Sequence, residues 1–211
     1  MSEKTRIHRH PELGSSDRSV IDQILDNGFL CHVAYLAGTR PVVIPTLYVR
    51  DGDRILVHGS PASGIMRAVK RGSPLSIGVT HVDGVVVARS GFQSSINYRS
   101  VVIHGIGRAL DGPEHRSALD LIVEGLIPGR LTDVRPPTPK ELRKTSVIAV
   151  SLADASAKIS DGPPEDETED LGSGVWAGVV PVTIAYGSPV AAPDLEPGLE
   201  TPGYLTRFRG S

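Results

Sequence analysis

Cysteine is all but missing from this chain: Cys31 stands alone among 211 residues. No internal disulfide can form, which excludes a disulfide-stapled secreted scaffold. The residue lies within FLCHVAYL, and a free cysteine among apolar neighbours reads as a buried thiol. Aromatic side chains are also scarce, at 4% with a single tryptophan, so recognition of single-stranded nucleic acid by base stacking is disfavoured. Neither charge sign is in excess. The 22 basic and 24 acidic side chains are mixed along the sequence and give a formal net charge of -2, which leaves no basic stripe for nucleic acid to follow. No apolar run approaches the ~18 residues of a membrane helix. The first nine residues open with charges rather than an apolar leader core, so the expectation is a cytoplasmic chain with neither a membrane span nor a signal peptide.

Strand and turn signals dominate what is present. Residues 1–15 read as a flexible, polar N-terminal arm containing Arg6, His8, Arg9 and His10. Ser16 is placed to cap a short helix over 17–26, whose Val20, Ile21, Ile24 and Leu25 share one face, and Asn27-Gly28 ends it. Short strands follow at 29–36, 41–50, 54–58, 75–81, 85–89 and 99–107. Gly38-Thr39, Asp51-Gly52 and Asp83-Gly84 punctuate them as tight turns. Six strands in so short a stretch predict a closed or nearly closed antiparallel sheet, because closure removes exposed edges. Helices are expected at 65–71, 114–126 and, behind the Thr138-Pro139 start signal, 140–144, with one more strand at 146–152. Residues 161–170 hold six acidic residues and two prolines without an apolar side chain, and predict an exposed, mobile loop. Order is expected again at 174–186, before a Pro/Gly-rich tail over 193–211.

The polar groups concentrate at strand ends. The segment 89–100 carries Arg89, Ser90, Gln93, Ser94, Ser95, Asn97, Tyr98, Arg99 and Ser100, more donors than a hairpin needs to turn, and suited to a ligand held against a sheet end. At His58-Gly59-Ser60-Pro61-Ala62-Ser63-Gly64 a strand runs into a helix start, so Ser60 and Ser63 offer hydroxyls beside free N–H groups and Arg67 offers a guanidinium fork one turn on. The bland alternative is that these serines only cap the helix. Pro45, inside the strand-like Pro41–Leu47 run, implies an edge or a bulge, with backbone groups free to meet a flat heterocycle. His32, His58, His81 and His104 are scattered over strands without a Cys/His cluster, so no metal site is expected. A haem on one of them stays open, since a single histidine can be an axial ligand. No Ser/His/Asp order or G-x-S-x-G elbow is present, which disfavours hydrolysis.

GTRPVVIPTLYVRDGDRILVHGSPASGIM, then VTHVDGVVVARSGFQSSINYRSVVIHGIG, then GVWAGVVPV together resemble the flavin-nucleotide-binding branch of the pyridoxamine 5'-phosphate oxidase-related split-barrel proteins. The likeness spans residues 16–192. It implies a mainly β fold with peripheral helices, a six-stranded split β-barrel of the FMN-binding type, FMN as cofactor, and a homodimer with its two clefts at the subunit interface. By the same resemblance Pro45, Thr46 and Leu47 lie against the isoalloxazine edge, while His58, Gly59, Ser60 and Ser63, with Arg67, line the ribityl-phosphate side. Asn97, Arg99 and Ser100 add polar contacts, and His104 and Trp176 are wall residues. The chain departs from the oxidases at Gly64-Ile65, where they place a lysine, and it lacks their recognisable substrate arginines, which argues against pyridoxamine 5'-phosphate as substrate. The expectation is an FMN-dependent oxidoreductase of a small molecule, with NAD(P)H as a candidate donor. The alternative is a non-catalytic flavin- or haem-binding carrier or sensor.

Overall fold

In the computed structural model, residues 11–208 are described; the polar segment 1–10 lies outside them. After a 3-10 turn at Pro11–Leu13 and a two-residue strand β1 (Gly14–Ser15), α1 runs Arg18–Asp26. Its N-cap is Asp17 rather than Ser16: the Asp17 carboxylate accepts the Ser19 N–H at 2.8 Å, a reach that suits an aspartate at this position. The other end is closed by side chains from the sheet. The Tyr48 hydroxyl donates to the Leu25 carbonyl at 2.6 Å, and the His81 ring nitrogen Nε2 lies 3.0 Å from the Ile24 carbonyl, meeting acceptors that a helix end leaves unpaired.

The strands are β2 (Leu30–Ala37), β3 (Arg40–Asp51), β4 (Arg54–Gly59), β5 (Pro74–Val87), β6 (Ser95–Ile106), β7 (Arg108–Ala109), β8 (Ser146–Ser151), β9 (Ala155–Ser160) and β10 (Gly178–Pro181). Three further helices are α2 (Gly64–Lys70), α3 (Gly112–Leu126) and α4 (Pro139–Lys144). α4 opens with the capping box formed by Thr138 and Glu141. No helix among the described residues is long and apolar enough to cross a membrane.

The expected six-stranded closed barrel is not what forms. The strands make one ten-stranded antiparallel sheet whose ladder runs β1-β9-β6-β5-β2-β3-β4-β8-β7, with β10 attached to β5 and with two open ends. The terminal strands, β1 and β7, are two residues each and pair only with β9 and β8. Gly107 separates β7 from β6; a Cβ there would stand 2.8 Å from Val69 and 3.3 Å from Leu75, so the chain presses onto the core as it leaves β5 for β8. A mainly β architecture with peripheral helices remains.

Two further expectations change. Asp83-Gly84 is no hairpin turn but a bulge between Val82 and Gly84 inside the 14-residue β5. Gly84 is needed there because a Cβ would meet Val179 of β10 at 2.8 Å. β9 is an addition: Ala155, Ser156 and Ala157 are small, carry little strand propensity, and are buried. The acidic loop is mostly exposed, yet the Asp166 side chain is only 2% exposed. It accepts both the Arg89 N–H at 2.6 Å and the Arg89 guanidinium at 2.7 Å, tying the loop to the end of the β5–β6 hairpin.

Alternation along β4 produces two cores. Ile55 and Val57 face the inside of the curled sheet with Tyr48, Ile77 and the buried faces of α1 and α2. Leu56 faces the other way, packing with Val147 and Ala149 of β8 against Ala118 and Ile122 of α3. His58 follows Leu56 by two residues and so shares the α3 side.

Candidate functional site

β3 changes partners along its length. The Tyr48 N–H donates to the Phe29 carbonyl at 3.0 Å, which sets the phase of the ladder: even-numbered residues of β3 bond with β2 and odd-numbered residues turn their backbone groups to the outer side. Pro41 and Pro45 both fall in the outward set, where a missing N–H breaks no ladder bond. β4 occupies the outer side only from Tyr48↔Val57 to Asp51↔Arg54. Beyond that point the two strands part, and residues 41–45 keep an outer edge without a ladder partner among the described residues.

The turn into α2 follows directly from the end of β4. The Ser63 hydroxyl caps the helix by accepting the Met66 N–H at 3.3 Å, and Ser60 accepts the Ala62 N–H at 3.3 Å, so both serines do cap. Each hydroxyl still has its proton to donate. Arg67 is exposed and curls back over the turn, with Nη1 on the Ala62 carbonyl at 2.5 Å. Lys70 and Arg71 are exposed at the far end of this helix, where their charges meet its free carbonyls. Gly59 needs no special backbone conformation; a Cβ there would come no nearer than 3.7 Å to Met66 and 3.8 Å to Ser63, and its absence keeps that space open. Gly64 is different: a Cβ would stand 1.9 Å from the hydroxyl of Tyr35, itself buried, so only glycine lets α2 seat on β2.

The register from Tyr48↔Val57 puts Leu47, Thr46 and Pro45 on the stretch of β3 that runs past the end of β4, and β4 leads into Gly59, Ser60, Ser63 and Arg67. It does not bring the rest of the expected set there within one chain. β6 is separated from β3 by β5 and β2, and its polar residues are occupied. Arg99 grips Asp83 through two bonds of 2.8 Å, and that guanidinium holds the Asp83 carboxyl below the usual carboxylate range. The Asn97 amide donates to the Gly162 carbonyl at 2.9 Å, and the Ser100 hydroxyl lies 3.5 Å from the Lys158 carbonyl. His104 is on β6 opposite Ser76. Trp176 precedes β10 and is 65% exposed.

His58 also stands apart from this set. Its ring turns to the α3 side and forms part of the wall of a cavity of about 550 Å³ between α3 and the 131–145 segment. Nδ1 is shut off from solvent without a hydrogen-bond partner among the described residues, and burial pushes the ring's pKa below its ordinary value. The imidazole is thus neutral near pH 7, with one nitrogen lone pair to offer. Sequence reading missed this cavity. The parity of Leu56 and His58 is visible in the sequence, but not that α3 covers that face. Cys31 is inert by comparison: burial pushes its thiol up to about 12, and the thiolate is the reactive form. Among the described residues no group of three His, Cys, Asp or Glu side chains is placed to hold a metal ion.

Residues 17–159 match the family described as Pyridoxamine 5'-phosphate oxidase. Among solved structures the chain is similar to the FAD and heme binding protein from Mycobacterium smegmatis, at 39% identity over 94% of this chain and 98% of that one, with a TM-score of 0.90. It is similar also to the flavocytochrome Anf3 from Azotobacter vinelandii, at 34% identity over 100% of this chain and 98% of that one, with a TM-score of 0.94. No curated protein sequence matches the chain.

Proposed function

The chain belongs to the pyridoxamine 5'-phosphate oxidase family, and from this premise we propose that it is a flavin- and haem-binding electron carrier that holds FAD in the cleft between β3 and β4. Flavin binding follows from the family. The observation that carries the position is the end of the β3–β4 ladder at Tyr48↔Val57, just before β4 leads into the hydroxyls of Ser60 and Ser63 and the fork of Arg67. FAD is preferred to FMN, and a carrier to an FMN-dependent oxidoreductase, because two full-length relatives above 30% identity are described as an FAD and heme binding protein and as a flavocytochrome.

When bound, a flavin supplies one- and two-electron transfer. The protein's own part is orientation. The outer edge over residues 41–45 presents carbonyls to the ring's imide side, Ser60 and Ser63 donate to the ribityl-phosphate end, and Arg67 releases the Ala62 carbonyl to meet a phosphate. Arg99 is left as a structural tie to Asp83 rather than a phosphate ligand. A homodimer belongs to the same proposal: Leu30, Leu36 and Val43, at 51%, 54% and 61% exposed, give β2 and β3 an apolar outer surface beside the cleft.

Titrating the flavin-free protein with FAD and with FMN tests the reading. Saturation at one FAD per chain, tighter than FMN, is expected, with a light-scattering mass of two chains. Protein that takes up neither flavin contradicts it.

A further inference from the structure

The cavity beneath α3 has no part in the flavin cleft, although both meet the same end of β4. Its lining is largely apolar, with Leu119, Ile122, Val123, Leu131 and Val134 around the ring of His58, and with Arg135 and Glu141 among its polar members. Those two side chains are 65% and 47% exposed and pair at 2.7 Å. At about 550 Å³ the space falls within the range of ~300–1,000 Å³ found for cofactor pockets. The half-buried ring of His58 is the second observation: its Nδ1 is shut off from solvent without a partner among the described residues, which leaves Nε2 as the nitrogen an occupant of the cavity can meet.

The donor set selects the occupant. A bare metal ion would need several ligands, and the described residues gather no such group. A haem needs one axial histidine and an apolar slot for its macrocycle. Its propionates are carboxylates, and the Arg135 fork already binds one in Glu141. His115 is the other histidine near this region, but its Nε2 lies 2.9 Å from the Thr145 carbonyl, so that nitrogen carries the proton and is committed.

We infer that this cavity is the haem site and that His58 is the axial ligand, an assignment that rests on the flavin- and haem-binding reading above. Consecutive residues at the end of β4 then serve two cofactors. His58 turns to the haem on the α3 side, and Gly59 and Ser60 lead into the flavin cleft on the other.

The test is a titration of the full chain with hemin, followed by its Soret band, in the parent and in His58→Ala, Val134→Trp and His115→Ala, with flavin content and thermal melting as checks on the fold. The parent and His115→Ala are expected to bind one hemin, while His58→Ala and the cavity-filling Val134→Trp lose it. Added imidazole restores the His58→Ala spectrum, a rescue that a merely structural role would not show. Unchanged binding in His58→Ala, or loss confined to His115→Ala, overturns the assignment and leaves haem binding standing. A parent that binds flavin but no hemin overturns both the assignment and the haem half of the proposed function.

Discussion

Tyr48→Ala is expected to lower the stability of the fold by about 4 kcal/mol, in the middle of the range of ~3–5 kcal/mol that removing a buried aromatic ring costs. Tyr48 is 1% exposed and lies in the core inside the curled sheet. Its hydroxyl closes α1 through the Leu25 carbonyl, and burial pushes its phenol well above the ordinary range, so it remains a neutral donor. The residue is also the pivot of β3, the last to bond with β2 on one side and the first to pair with β4 on the other. Tyr48→Phe keeps the ring and loses only the hydrogen bond, at about 1–2 kcal/mol. Urea midpoints of the two variants separate packing from capping, and equal losses would show that the ring fills no essential space. FAD affinity should fall with Tyr48→Ala, because the two walls of the cleft diverge from this residue.

The phase of β3 makes the second large prediction. Ile44 bonds inward to β2 opposite Val33, which is fully buried. Ile44→Pro removes a ladder N–H, orphans a buried carbonyl and is expected to cost about 3 kcal/mol or more. One residue away, Val43 directs its backbone outward and is 61% exposed, like the prolines at 41 and 45. Val43→Pro is expected to change stability by less than about 1 kcal/mol, since proline is accepted on an outward edge position. Thermal melts of the pair decide the matter: comparable destabilisation would mean that the inward and outward sets are assigned the wrong way round.

Much of the fold could be read from local pattern. Cys31, Val33 and Tyr35 alternate with exposed neighbours and announce β2; Pro45 inside a strand announces an open edge; Ser63 announces α2. Each of these signals is local, because backbone sterics and side-chain parity act over a few residues. The failures are all long-range. Nothing near Asp83 says that Arg99, sixteen positions on, will take its carboxylate, or that β10 will press a valine against Gly84. Ala155–Ser160 became a strand because the edge of β6 was free to receive it, against a weak propensity of its own. The closed barrel failed for the same reason, since closure depends on which edges meet. At the candidate site, the residues proposed for flavin on β3 and at the start of α2 stand out in the sequence because they cluster in two short segments. Nothing local to Arg99 and Asn97 says that the folded chain pairs them with Asp83 and Gly162. His58 stands out in the sequence, but the α3 side of the strand that it faces does not.

The central claim is that the phosphate end of a flavin meets the turn between β4 and α2 and not the end of β6. It is tested most directly by the FAD dissociation constants of Arg67→Ala and Arg99→Ala. Arg67→Ala is expected to weaken FAD roughly tenfold or more, the effect of losing a charge-assisted bond to phosphate. Arg99→Ala should move it by less than about twofold, because its half-exposed pair with Asp83 only ties β6 to β5. The opposite ranking, with Arg99→Ala losing FAD and Arg67→Ala keeping it, would contradict the account.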